Sequence, residues 1–243
     1  MQIKIKFTSN KDIVLPIHYN YILQAFIYNN IDENLANFLH DEGYTSNGRN
    51  FKFFTFSRIF QRGKKIGDNF NFGNKLAIIV SSPLEIFCKS IANHMLQNDN
   101  LYIGKNQIKT EQIQVYNYSI DKDAIIVETL SPVVAYSTLF KEDGSKYTCY
   151  FGAYESDFNR IVSENLIRKY NALYDANLAF EDGIQIEPIG DSRMNFTYYK
   201  NFIIIKGVSG KFKIKGHKEL LQLGIDSGLG SKNSQGFGCI KVL

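Results

Sequence analysis

No pair of cysteines in this chain is spaced for a zinc ribbon or a redox motif. The three that occur, Cys88, Cys149 and Cys239, lie far apart, and an odd count argues against a disulfide framework. No stretch approaches the roughly 18 apolar residues that cross a bilayer. The opening "MQIKIKFTSN" alternates polar and apolar residues where a signal peptide would carry an apolar block. Histidine is scarce as well. His18, His40, His94 and His217 are the whole set, and no two have metal-ligand spacing. The expectation is a soluble cytoplasmic protein from a reducing compartment, with no metal, no cofactor and no membrane contact.

Acid is missing from one long segment. Between Gly43 and Gly67 stand Arg49, Lys52, Arg58, Arg62, Lys64 and Lys65, with no Asp or Glu. From Arg193 onward nine cations face two acids, although the whole chain carries only +4. Segregated positive charge makes a local field whose natural partner is a polyanion, and the alternative is two solvated basic faces.

The residues that remain read as alternating strands and helices. "QIKIKF" has period two, with Ile3, Ile5 and Phe7 on one face, and predicts a half-buried strand. "YNYILQAFIYNNI" has helical spacing, and Asp32 looks like the N-cap of a short helix "ENLANFLHDE" that stops at Gly43. "FKFFTFSRIF" and "KLAIIVSS" read as strands, with at most two of Phe51, Phe53, Phe54 and Phe56 free to stack on a base. Ser82-Pro83-Leu84-Glu85 reads as a capping box that opens a helix, followed by a strand from about Leu101 to Val115.

The second half repeats the plan. It has strands in "AIIVETLSPVVAYS" and "SKYTCYF" and a helix from about Asp157 to Leu178. A hairpin turning at Ser209-Gly210, a helix "KELLQLGIDSG" and a final strand "GFGCIKVL" follow. Each half fits a β-α-β-β-α-β unit, so an α+β fold of two tandem ferredoxin-like (RRM-like) domains is expected. They would span 1–120 and 121–243, and no linker rich in Pro, Gly or Ser separates them.

Five of the fifteen residues from Gly224 to Gly238 are glycine, and Lys232 is the only cation among them. Bare backbone tolerates positive φ and lets N–H groups approach an anion closely. A mononucleotide loop is excluded by order, because here a helix precedes the loop and a strand follows it. Gly230, Ser231, Lys232, Asn233, Ser234, Gln235 and Gly236 are therefore candidate nucleic-acid contacts. A tight turn feeding an edge strand is the alternative. Arg58, Arg62, Lys64 and Lys65 are candidate phosphate contacts.

RNA carries its own nucleophile in the 2′-hydroxyl. Cleavage then needs a base, an acid for the departing 5′-oxygen and a cation for the charge growing on phosphorus. Tyr28, His40 and Lys52 supply one candidate for each task. His40 ends a short helix, whose C-terminus favours imidazolium, and a purely structural role is its alternative.

Two segments carry a family resemblance: "YILQAFIYNNIDENLANFLHDEGY" with "FKFFTFS", and "GIDSGLGSKNSQGFGCIKV". The chain resembles the CRISPR-associated endoribonucleases of the RAMP superfamily that process precursor CRISPR RNA. The resemblance implies two tandem ferredoxin-like domains. It also implies metal-independent cleavage of repeat RNA that leaves a 2′,3′-cyclic phosphate and a 5′-hydroxyl. It places Tyr28 in the family's "IY" pair, His40 after its "FL" pair and Lys52 before its "FFTFS"-like strand, as the catalytic set. CRISPR repeat RNA is the implied partner, with effector-complex subunits as a second partner class and a monomer or homodimer as the assembly. The competing reading is a non-cleaving RNA-binding subunit of a CRISPR effector complex.

Overall fold

A computed structural model describes residues 1–177, 180, 183–199 and 203–243. The first half runs β1 (Gln2–Thr8), β2 (Val14–Pro16), α1 (Asn20–Tyr28), α2 (Glu33–Asn37), a π-helical turn (Phe38–Glu42), β3 (Tyr44–Ser46), β4 (Arg49–Phe51) and β5 (Thr55–Phe56). It continues with β6 (Lys64–Ile66), β7 (Asn69–Asn71), β8 (Lys75–Ser81), α3 (Glu85–Gln97), β9 (Leu101–Ile103) and β10 (Asn106–Tyr116). The second half runs β11 (Ala124–Thr129), β12 (Tyr136–Phe140), β13 (Lys146–Tyr150), α4 (Ser156–Tyr174), β14 (Ile184–Tyr199), β15 (Ile203–Gly216), α5 (Lys218–Ser227) and β16 (Ile240–Val242).

The two main sheets share one topology. The first has the order β5-β8-β1-β10-β9 and the second β14-β15-β11-β16. In each, the first strand of the unit is flanked by its third and fourth, and all neighbours are antiparallel. Two tandem ferredoxin-like units are therefore present. Short hairpins are added to the plan: β3–β4, β6–β7 with β2 alongside, and β12–β13 between the first strand and first helix of the second unit.

Period two in β1 buries Ile3, Ile5 and Phe7 as expected. Asp32 caps α2, its carboxylate accepting from the Leu35 N–H at 3.0 Å. The Ser82 hydroxyl accepts from the Leu84 N–H at 3.0 Å, but no reciprocal box forms: α3 opens only at Glu85, whose carboxylate pairs with Lys89 at 2.7 Å.

Three local expectations change. Phe51, Phe53, Phe54 and Phe56 are all buried, so none is free to stack on a base. The chain breaks the strand at Phe53, where φ is 50°, and packing turns the whole run inward. Phe54 stacks on Phe87 with ring centroids 5.1 Å apart. Ser209-Gly210 is not a turn but lies inside β15, with Arg193 opposite Ser209. Gly210 faces a register shift between Ile189 and Arg193, and its N–H donates to the Thr129 hydroxyl. Glycine there marks a bulge. The β14–β15 connection at 200–202 lies outside the described residues. Helix α4 ends at Tyr174, with Asp175 left-handed at φ 47°, and Leu178 is also outside the described residues.

One hydrophobic core runs through both halves, from Ile3 to Ile240. The seam is also polar. The Gln2 amide donates to the Ile240 carbonyl at 2.8 Å, the Thr55 hydroxyl to the Phe237 carbonyl at 2.8 Å, and the Ser81 hydroxyl to the Asp226 carbonyl at 2.9 Å. Among the described residues, no helix is long and apolar enough to cross a membrane.

Candidate active site

Where the halves meet, a cavity of about 1000 Å³ opens. Tyr28, His40 and Lys52 line it from the first half, and Lys232, Ser234 and Gln235 line it from the second. Tyr28 is the last residue of α1, so its ring leaves the helix beside the seam. His40 sits in the π-helical turn that continues α2. The wider turn re-aims side chains relative to an α-helix, which is why such turns recur at functional sites.

The imidazole is open to solvent, 74% exposed. Its centroid is 5.8 Å from the Tyr28 ring at 80°, and Tyr28 in turn meets Phe54 edge-on at 5.3 Å. His40 Nδ1 lies 2.7 Å from Asp41 Oδ1, which leaves Nε2 for other partners. Lys52 Nζ donates to the backbone carbonyl of His40 at 2.8 Å. Gly43 makes that reach possible. It has φ 68°, and a Cβ there would stand 2.7 Å from the Phe51 carbonyl and 3.1 Å from Lys52 Cδ.

Burial pushes the Tyr28 phenol well above its ordinary range, and the neighbouring Tyr199 adds to the shift. That shift favours the protonated phenol, which can donate a hydrogen bond. Burial lowers the Lys52 ammonium, opposed by the carboxylate of Asp41. Tyr199, pushed up to about 12 by burial, is hydrogen-bonded to Gln24 and so ties the second half to α1 beside the cavity.

The glycines of the loop serve the fold. Gly230 and Gly236 are buried or nearly so, and each is hemmed in. A Cβ on Gly230 would stand 2.4 Å from the Val134 carbonyl, and one on Gly236 would stand 2.4 Å from the Phe56 ring. Several loop N–H groups are consumed internally: Ser231 donates to Val134, Gly236 to Asn233 and Gly238 to Pro132. The Asn233 amide donates to the carbonyls of Leu229 and Phe237, at 3.0 Å each. The loop also brings side chains to the two cavities, and Lys232 stands over the Tyr136 ring at 5.2 Å. Gln235, by contrast, has its Oε1 buried with no partner among the described residues.

This packing carries a stability prediction. Gly238 has φ 75°, and a Cβ there would lie 2.0 Å from the Leu229 carbonyl. Gly238→Ala should destabilise the protein by at least about 1–3 kcal/mol, read as a lower midpoint in denaturant unfolding. An unchanged midpoint would show that the loop relaxes freely.

Arg58, Arg62, Lys64 and Lys65 do not reach this cavity. They line a separate depression of about 710 Å³ around Tyr19. Tyr19 stands at the other end of α1, about 14 Å away along nine residues of helix. Sequence reasoning misses Arg49, Asn165 and Arg168, which line a second cavity that shares Lys52, Lys232 and Ser234 with the first. Arg49 stands in the acid-free block, where charge could have flagged it. The polar face of α4 gives no such signal, because in sequence it is indistinguishable from a solvated face opposite an apolar stripe.

A family model described as CRISPR-associated protein Cas6, N-terminal, matches residues 14–114. One described as CRISPR associated protein Cas6, C-terminal, matches residues 109–242. The chain is similar to the CRISPR-associated endoribonuclease Cas6 1 of Methanocaldococcus jannaschii, 28% identical over 99% of this chain and 92% of the relative. A solved structure titled "CRISPR associated protein Cas6" superposes with TM-score 0.80 at 25% identity, covering 100% of this chain and 99% of that one. Another, titled "An RAMP protein binding different RNA substrates", gives TM-score 0.81 at 21% identity, over 100% and 99% of the two chains, and speaks for the fold alone. With the second family model spanning more than half of its length, the chain belongs to the CRISPR-associated Cas6 family.

Proposed function

We propose that this protein is an endoribonuclease that binds CRISPR repeat RNA across the seam and cleaves precursor crRNA at one phosphodiester without a metal ion. The carrying observation is the convergence of Tyr28, His40 and Lys52 with Lys232, Ser234 and Gln235 on one cavity. We divide the chain at about residue 120, between β10 and β11, so that the first unit supplies the chemistry and the second completes the groove.

The roles follow from chemistry and geometry. The neutral Tyr28 phenol donates a hydrogen bond that orients the ribose 2′-hydroxyl. As O2′ bonds to phosphorus, its proton leaves to solvent. His40 as imidazolium protonates the departing O5′ when the P–O5′ bond breaks. The Lys52 ammonium faces the non-bridging oxygens, where charge grows in the transition state. The products are a 2′,3′-cyclic phosphate and a 5′-hydroxyl.

The test is labelled repeat RNA incubated with protein in EDTA. A single cut with those termini supports the reading. Tight binding without a cut leaves an RNA-binding subunit, and no binding overturns both.

The cations around Tyr19 are assigned to the phosphates of the flanking strand. Lys64→Ala or Lys65→Ala should weaken RNA binding and lower the slope of log Kd against log salt by about 0.7 for each phosphate left without its cation. Single-turnover cleavage at saturating protein should stay close to wild type. A slower cut at saturation would place these lysines nearer the reacting phosphate than the geometry does.

A further inference from the structure

The second cavity, about 640 Å³, lies on the far side of Lys52 and Lys232 from the catalytic one. Its walls come from β4 and the segment after it, from β12, from α4 and from the glycine-rich loop. Six basic residues from distant parts of the chain line it: Arg49, Lys52, Arg160, Arg168, Lys169 and Lys232. The carboxylate that lines it, Glu164, is bound by Arg160 at 3.0 Å and Arg168 at 3.2 Å. Net positive charge therefore faces the space.

Within it, Asn165 is only 5% exposed, and its Oδ1 is buried without a hydrogen-bond partner among the described residues. Buried carboxamides are almost always satisfied, so this unpartnered oxygen beside the cavity leaves an acceptor open to a ligand donor or an ordered water. Tyr136 offers an aromatic ring beside Lys232. A cationic space of ligand size with an aromatic ring and an unpartnered amide matches a nucleotide: phosphate for the cations, a ring to stack, and base N–H groups for the amide oxygen.

A free mononucleotide and a nucleotide of a bound strand share this chemistry. The strand is favoured because Lys52, Lys232 and Ser234 line both cavities, so RNA whose phosphate is at His40 continues directly into the second. We propose that the second cavity is a subsite for the base of a nucleotide close to the scissile phosphate, and that Asn165 reads its Watson–Crick edge. This rests on the endoribonuclease reading above.

The experiment is a double-mutant cycle between protein and RNA. Repeat RNAs carrying one abasic residue at each of the three positions on either side of the cut are bound to wild type and to Asn165→Leu. At one position wild type should lose about tenfold in affinity with the abasic RNA. Asn165→Leu should lose about the same with intact RNA, and nothing further with the abasic one. Thermal melting confirms that the variant folds. Should it not fold, Tyr136→Leu, which removes the ring that stacks on the base, replaces it. Its loss should then be confined to RNAs that carry the base at that one position.

Additive losses at every position in a folded variant overturn the subsite. So does displacement of the RNA by micromolar AMP or CMP, which would make the cavity a mononucleotide site. If wild type binds and cuts repeat RNA while the cycle is additive, only the subsite fails. If wild type neither binds nor cuts, the parent reading fails with it.

Discussion

Repeat RNA incubated with His40→Ala should stay bound and stay whole. The imidazole is 74% exposed and its hydrogen-bond partner is the adjacent Asp41, so its removal leaves the fold within about 0.5 kcal/mol of wild type. The backbone carbonyl that accepts from Lys52 survives the substitution, so the lysine keeps its position. In the proposed mechanism, what disappears is the proton donor for O5′. Cleavage should fall by about 10²–10⁴-fold in single-turnover assays at saturating protein, with Kd changed by no more than about threefold. Retention of the wild-type rate would remove His40 from the chemistry. A parallel fall in affinity would recast it as a binding residue.

The second large effect is expected at Lys52. Its ammonium lines both cavities, is partly desolvated, and holds the backbone carbonyl of His40, the proposed acid. Charge on phosphorus grows toward the transition state, so a fixed cation stabilises that state more than the bound substrate. Lys52→Ala should slow the cut by about 10²–10³-fold, equivalent to about 2.7–4 kcal/mol, while weakening ground-state binding far less. Single-turnover rates set against Kd separate the two. Equal losses in rate and affinity would make Lys52 an ordinary phosphate contact.

Much of the fold is legible in the residues alone. Alternation in Gln2–Thr8, the Asp32 cap and the repeated order of elements are local signals, and local signals survive folding. Tyr28, His40 and Lys52 fall within 25 residues, and they share one cavity. What is not legible depends on distant partners. The glycines of residues 228–238 look ready for a ligand until Val134, Phe56 and Leu229 are seen filling the space a Cβ would need. Four phenylalanines in six residues read as an alternating strand, yet burial of every one requires the backbone to turn over at Phe53. Ser209-Gly210 has turn composition, and only the pairing across from Arg193 shows it to lie inside a strand, facing a bulge in β14. The basic block of residues 49–65 reads as one patch, but the fold deals its members to different depressions.

The tethered backbone of residues 228–238 has a thermodynamic consequence. A segment whose glycines are packed against the protein, and whose N–H groups at Leu229, Ser231, Gln235, Gly236 and Gly238 are already bonded, has little motion left to surrender when a strand arrives. Association then loses less conformational entropy at that surface, and Lys232 and Ser234 meet the incoming RNA as a rigid template rather than a closing lid.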